Sequence, residues 1–407
     1  MKIKMPKARG TKEDSLQGGS KRAGVYFPEI QARGGAERLA LLLALELEKA
    51  GWDTFFLTDC DVDPAQLSRD LGADLTGIKF VKLRRLNYSM IRLSEIRRLA
   101  TDSSFVRQIR GLDFDLFVNA QYKSSLPGCA RRNVYYCHFP HRLSNVSNSL
   151  QHRAYMGFAR IADKILVRRG SASFPATYDE IWANSEFTAS HVEERWGRSA
   201  LTVYPPCESI EPCNKSKTIA VIGRFQAPGD SIPYKAQDVL LDTFSAMTQL
   251  QSEGWRLVMV GGSSREGANY LLRLLDDANH LPVDIIADAS REQLRQVVGE
   301  AAIYWHAQGV GGDKVHHPET QEHFGISTVE AMSAGAIPLV YATAGPAEVV
   351  SGVSDLAGWE TIEGLKEITT YWAHATSTSI EDMRDKCRAR AEQFDEAHFS
   401  DRVQRLL

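Results

Sequence analysis

No apolar run in this 407-residue chain approaches the roughly 18 residues that a membrane-spanning helix needs. A bundle of such helices is therefore excluded. The first 22 residues are rich in Lys, Gly and Ser and lack the apolar core of a secretory leader, so a disordered tail is expected there. Cysteine is sparse. Cys60, Cys129, Cys137, Cys207, Cys213 and Cys387 are scattered, and none forms a Cys-x-x-Cys pair. That excludes a zinc knuckle and points to reduced thiols in the cytoplasm. The glycine spacing of the dinucleotide-binding fingerprint is missing as well. His306, His316, His317 and His323 lie in one stretch without the spacing of a metal site, so no metal or other cofactor is expected.

A chain of this length suits two domains better than one core. Its charge divides in the same way. Residues 1–205 carry 31 Lys+Arg against 22 Asp+Glu, and the remainder carries 17 against 29. A basic front half and an acidic back half imply two units with different partners. The Pro205-Pro206 pair, followed by a polar run to Lys217, marks the linker between them.

Each half reads as alternating strands and helices. In the front half, Ala23–Pro28 predicts a buried strand, and Gly34-Gly35 opens a long apolar helix ending at Gly51. Thr54–Thr58 predicts the next strand. That is the unit of a doubly wound α/β sheet. The glycine pair leaves backbone N–H groups open to a ligand, although a tight structural turn explains it equally well. Further strands are expected at 115–120, 133–137 and 180–185, with Ser185 as a helix cap. His138 ends the second of these, where side chains of parallel sheets face the ligand crevice. In the back half, strands are expected at 218–223, 257–260, 283–286, 303–306 and 337–340.

Two segments, 78–110 and 153–169, mix Lys and Arg with apolar residues at helical spacing. Such segments lie on anionic membrane surfaces or pack as core helices with a solvated basic face. Peripheral membrane contact from the cytoplasmic side is one expectation they raise. No nucleic-acid partner is expected.

The stretch QEHFGISTVEAMSAG, 321–335, carries the most chemistry. From Ile326 the apolar spacing is helical, and Gly335 supplies a helix stop. Glu322 then sits just outside a helix N-terminus and Glu330 about one turn inside it. Gly325 leaves that terminus open, a setting that attracts phosphate. Arg224 and Lys235 follow the 218–223 strand and would form a cationic clamp beside it. An anion site lined by hydroxyl-accepting carboxylates describes a nucleotide sugar. The competing reading makes the acids a helix cap and a surface residue.

The motifs GGAER (34–38), YYCHFP (135–140), ANSEFT (183–188), YPPC (204–207), VIGRF (221–225), EHFGISTVEAMSAGAIPLV (322–340) and AGPAEVV (344–350) together resemble the retaining glycosyltransferases of family 4. A subset of them is similar to the α-1,2-mannosyltransferases that extend lipid-linked oligosaccharides. The resemblance implies a GT-B fold, with two Rossmann-like doubly wound α/β domains facing across a cleft. It implies an acceptor domain over 23–205, a donor domain over 206–378, and a C-terminal helix over 379–407 packing back on the first domain. Arg224 and Lys235 would bind the donor diphosphate, and Gly34 and Gly35 would close over it. Glu322, with the Phe324 and Gly325 amides and Ile326 opening the helix, would face the sugar. Glu330 would hold the ribose. His138 would contact the sugar, and the base would stack near Ala287 and Asp288. The implied reaction moves a sugar, with GDP-mannose the favoured donor, to a hydroxyl of a glycan or lipid-linked glycan. A sugar-nucleotide epimerase or phosphorylase, or a non-catalytic sugar-nucleotide binding protein, would use the same clamp. His323, Ala236 and His306 depart from the general pattern and leave the sugar pocket open.

Overall fold

The central strands of both halves are largely apolar runs of four to seven residues, buried between helices. The structure, a computed structural model, describes residues 20–30, 34–85, 94–142, 174–229 and 234–407. The first half contains β1 (Arg22–Tyr26), α1 (Gly35–Lys49), β2 (Asp53–Thr58), α2 (Pro64–Leu71), β3 (Lys79–Lys82), α3 (Ser94–Arg110), β4 (Leu116–Asn119), β5 (Arg132–Cys137), β6 (Glu180–Ala183), α4 (Glu186–Trp196) and β7 (Leu201–Thr202). The second half opens with β8 (Ser216–Ile222), α5 (Gln237–Ser245), α6 (Thr248–Ser252), β9 (Arg256–Gly261), α7 (Ala268–Asp277), β10 (Val283–Ala287) and α8 (Arg291–Glu300). It continues with β11 (Ala301–His306), α9 (Ile326–Ser333), β12 (Ile337–Tyr341), α10 (Ala344–Val349), β13 (Gly358–Trp359) and α11 (Ile362–His374). Two last helices follow, α12 (Ser377–Glu392) and α13 (Glu396–Leu406).

The first sheet has the order β3-β2-β1-β4-β5-β6-β7 and the second β10-β9-β8-β11-β12-β13, with every pairing parallel. Both orders reverse next to the first strand of their half, between β1 and β4 and between β8 and β11. In such sheets the ligand crevice lies outside the carboxyl ends of the strands at that reversal. Gly34-Gly35 follows β1, Arg224 follows β8, and His306 ends β11. The topology therefore brings the residues singled out above to the two facing reversal points.

Local chemistry accounts for the helix ends. Ser185 accepts from the Thr188 amide at 3.0 Å and starts α4, as its position in ANSEFT predicts. The helix α1 is apolar on nearly every side because it is covered twice. Leu39, Leu43 and Leu47 share a core with the sheet residues Val25 and Phe56 and with Phe399 and Val403 of α13. Its buried Glu46 accepts from Ser400 and Gln404 of that last helix at 2.6 and 3.0 Å.

Two expectations change. The stretch 379–407 is not one helix. It breaks at 393–395, α12 joins the second half's core through Met383 and Cys387, and α13 alone lies on α1. Asp395 explains the break, because it caps α13 by accepting from the His398 amide at 2.8 Å. The segment 78–110 is not one basic helix either. Its first part is β3, where Lys79 and Lys82 pair with Asp53 and Asp61 at 2.5 and 2.6 Å. Its last turns bury Phe105, Val106 and Ile109. Leu86 to Leu93 and the segment 153–169 lie outside the described residues. Among the described residues no helix is long and apolar enough to cross a membrane.

Candidate active site

The helix α9 starts without a side-chain cap. Gly325, at φ 103°, takes the left-handed N-cap position that an L side chain strains to adopt. Its first N–H groups have no side chain of their own to satisfy them. The neighbouring chain is packed too tightly for any side chain at Gly345, where a Cβ would stand 2.3 Å from the Phe324 Cα. The Gly345 amide donates to the Glu322 carbonyl at 3.0 Å and fixes that bend against α10.

Glu322 is the centre of the charge arrangement. Its Oε2 pairs with the Lys235 ammonium, and the His306 Nε2 lies 3.8 Å from the same oxygen. Burial alone would raise this carboxyl. Lys235 and then His306 outweigh it and hold Glu322 well below the usual carboxylate range. The Lys235 stem lies over Gly223, where a Cβ would meet its Cγ at 2.9 Å. Ala236 next to it has φ 55°, a left-handed position that explains why glycine is commoner there.

Arg224 reaches the other way, towards the first half. One guanidinium nitrogen would lie 3.4 Å from a Cβ on Gly34, and Glu37 of α1 feels its charge. A Cβ on Gly35 would stand 2.5 Å from the Ile326 Cδ1. The glycine pair thus lets α1 and α9 meet end to end, two helix N-termini with Arg224 and Lys235 beside them. Ala287 and Asp288 are exposed at the end of β10. Asp288 accepts from the Ser263 amide at 2.7 Å, on the rim next to Gly262.

Glu330 is not free. Its carboxylate is 8% exposed and accepts from Arg291 at 2.8 Å, and Arg291 also pairs with Glu208. Burial still raises Glu330 above the usual carboxyl range, against the pull of Arg291. Arg291 and Glu208 sit in no motif, and only the partnership of a buried acid could have pointed to them.

His138 follows directly on β5, at its carboxyl end, and is buried. Its Nε2–H donates to the Ala120 carbonyl at 3.0 Å, which leaves Nδ1 as the acceptor of a neutral ring. Burial lowers it to about 4. Its ring stacks on Tyr122, 5.5 Å between centroids. His323 crosses from the second half to join this stack, 4.2 Å from Phe139 and with Nδ1 3.3 Å from the Tyr122 hydroxyl. Burial lowers it to about 4 too. His316 and His317 pair instead with Asp313 and Glu319 on an exposed loop.

Further contacts hold the halves together. Ser185 donates to the His323 carbonyl at 2.6 Å, and Arg195 pairs with Glu319 at 2.6 Å. Glu348 of α10 accepts from the amides of Glu186 and Phe187 at 2.9 and 3.2 Å, and from the Tyr204 hydroxyl at 2.7 Å. A carboxylate from one half thereby caps the N-terminus of α4 in the other.

Residues 33–207 match the model of Glycosyltransferase Family 4, and residues 211–358 match that of Glycosyl transferases group 1. The chain is similar to the GDP-Man:Man(3)GlcNAc(2)-PP-Dol alpha-1,2-mannosyltransferase of Xenopus laevis, 28% identical over 41% of this chain and 35% of that protein. The human protein of the same name is 26% identical over 54% of this chain and 46% of its own length. The match thus spans about a third to a half of those relatives. Among solved structures, Anabaena Alr3699/HepE in complex with UDP and glucose superposes with a TM-score of 0.60 at 16% identity, covering 95% of this chain and 99% of that one. That likeness shows the fold.

Proposed function

Because the chain belongs to the GT-B glycosyltransferases, a family 4 unit followed by a group 1 unit, we propose that it transfers a sugar from a nucleoside diphosphate sugar to a glycan or lipid-linked glycan hydroxyl with retention of configuration. GDP-mannose is the favoured donor, on the likeness to the mannosyltransferases. The observation that carries the reading is the convergence of Lys235, Glu322 and the uncapped α9 terminus of one half on Gly34-Gly35 of the other, with Arg224 between them.

In this reading the diphosphate lies against Arg224, Lys235 and the two helix N-termini. As the bond to the sugar breaks, negative charge accumulates on the phosphates, and those fixed positive groups stabilise it. The loss of one such contact costs on the order of 10²-fold in rate. Glu322 accepts from sugar hydroxyls, and Lys235, which pairs with it in this structure, turns to the diphosphate. Glu330, already held by Arg291, offers its second oxygen to the ribose. His138 is buried and neutral, so it offers hydrogen bonding to the sugar rather than charge. The acceptor hydroxyl attacks from the face that the leaving phosphate vacates, and that phosphate takes its proton. Closure of the two halves keeps water from the donor. Peripheral contact with an anionic membrane would bring a lipid-linked acceptor to the cleft.

Thermal-shift measurements with GDP-, UDP- and ADP-sugars, followed by transfer from the binding donor to membrane lipid extracts, test the proposal. A raised Tm with GDP-mannose and a mannosylated lipid product are expected. Donor turnover to an epimer without acceptor would replace transfer with epimerisation, and binding without any turnover would leave a sugar-nucleotide binding protein.

A further inference from the structure

His306 is buried at the reversal point of the second sheet, and neither ring nitrogen has a hydrogen-bond partner within reach among the described residues. A buried imidazole left in that state is destabilising unless something compensates it. Its nearest charged neighbour is the Glu322 oxygen that Lys235 already holds. Two cationic candidates therefore share one carboxylate.

On the reading above, an incoming diphosphate draws Lys235 away from Glu322. That would strand a largely buried carboxylate without a counter-charge, a costly state. We propose that His306 is a positioning residue that takes over Glu322 by accepting a proton when Lys235 turns to the diphosphate. The proton comes from solvent. The Lys235–Glu322 pair breaks, a Lys235–phosphate pair and an imidazolium–carboxylate pair form, and the proton taken up offsets one of the two negative charges that the diphosphate brings. Glu322 then stays in place to receive the sugar hydroxyls.

The surrounding groups leave few rivals. Glu322 and Lys235 face His306 directly, and Tyr122, Tyr304 and His323 also feel Glu322. Burial raises both tyrosines, so they stay neutral. His323 already engages the Tyr122 hydroxyl and stacks on Phe139. Burial lowers His306, Glu322 raises it and Lys235 lowers it. Departure of Lys235 removes a lowering influence and the phosphates add a raising one, so binding raises the ring's proton affinity.

Calorimetry of GDP-mannose binding in buffers of different ionisation enthalpy, between about pH 6 and 8, reads the proton directly. The wild type is expected to take up close to one proton per donor at the lower end. Its affinity should fall by up to about tenfold per pH unit between the free and the bound pKa of His306 and level off above the bound one. His306→Gln keeps the hydrogen-bonding but not the charge. It should still bind, with no proton uptake and a flat pH profile, whereas His323→Gln should keep the uptake. Donor binding by the wild type without buffer dependence overturns the proposal, and that measurement needs no variant to fold. Uptake that survives in His306→Gln, or vanishes instead in His323→Gln, overturns it too. Absence of binding by GDP-, UDP- and ADP-sugars alike removes the nucleotide-sugar reading itself, a separate result.

Discussion

Arg291 and Glu330 show how a single side chain can carry both a site and a core. Glu330 is almost wholly enclosed, and its charge is tolerated because Arg291 reaches it from α8. Arg291 is itself half exposed, so the pair gains less than a fully buried one. Removing it strands the acid all the same. We expect Arg291→Ala to lower unfolding stability by about 2 kcal/mol, read from urea melts. The pH dependence follows from the direction of the Glu330 shift. Its folded-state pKa lies above its unfolded value of 4.5, so the protonated form is favoured in the fold. Stability from this group is therefore greatest below the unfolded pKa and is lost as pH rises through the folded one. Without Arg291 that loss is larger. The deficit of Arg291→Ala should grow between about pH 5 and pH 8 and shrink in the double variant with Glu330→Gln. A deficit independent of pH would mean that Glu330 finds its counter-charge elsewhere, in Arg38.

At the scale of elements, α9 and α10 are joined by a contact that only glycine permits. A Cβ on Gly345 would overlap the Phe324 backbone, and backbone cannot swing aside as a side chain does. Gly345→Ala should therefore push the bend that carries Glu322. It should cost about 1–3 kcal/mol in stability and at least as much in donor affinity, measured by melting and calorimetry on the same sample. Much of this layer was legible beforehand. Strands such as Val134–Cys137 are buried on both faces and so read as unbroken apolar runs. The α9 start was legible because glycine at a left-handed cap and a three-residue apolar spacing are both local signals. The break between α12 and α13 was not, although Asp395 is an ordinary cap, because the helical pattern continues across it. The partner of Glu330 and the neighbours of His306 were illegible for another reason. They are set by tertiary placement, 39 residues away for Arg291, and no spacing rule reports that. The same limit explains Arg224, whose nearest neighbours include Gly34 and Glu37 of the other half.

At the scale of the whole molecule, the two halves meet through polar latches around a small aromatic stack. The Glu348 carboxylate is the most economical of them, since it satisfies two α4 amides and the Tyr204 hydroxyl at once. Tyr204 lies just before the Pro205-Pro206 linker, so this latch grips the hinge as well as the facing half. When the halves part, those amides and the hydroxyl pass to water, and only the difference between the two settings favours closure. That difference is about 1–3 kcal/mol for a charged acceptor, which shifts a closed–open equilibrium about 5- to 150-fold. Glu348→Ala should leave each half folded, because Glu348 serves neither core. It should shift the population towards the open form. Small-angle scattering should then give a radius of gyration above the roughly 22 Å of a compact chain of this length. Transfer should lose kcat through failed closure and leak donor to hydrolysis, because water now reaches the cleft. Saturating donor should restore the compact radius by binding across both halves, at an apparent affinity reduced by the closed fraction lost. A variant as compact as the wild type, with unchanged kcat, would show that Ser185–His323 and Arg195–Glu319 suffice to hold the halves together.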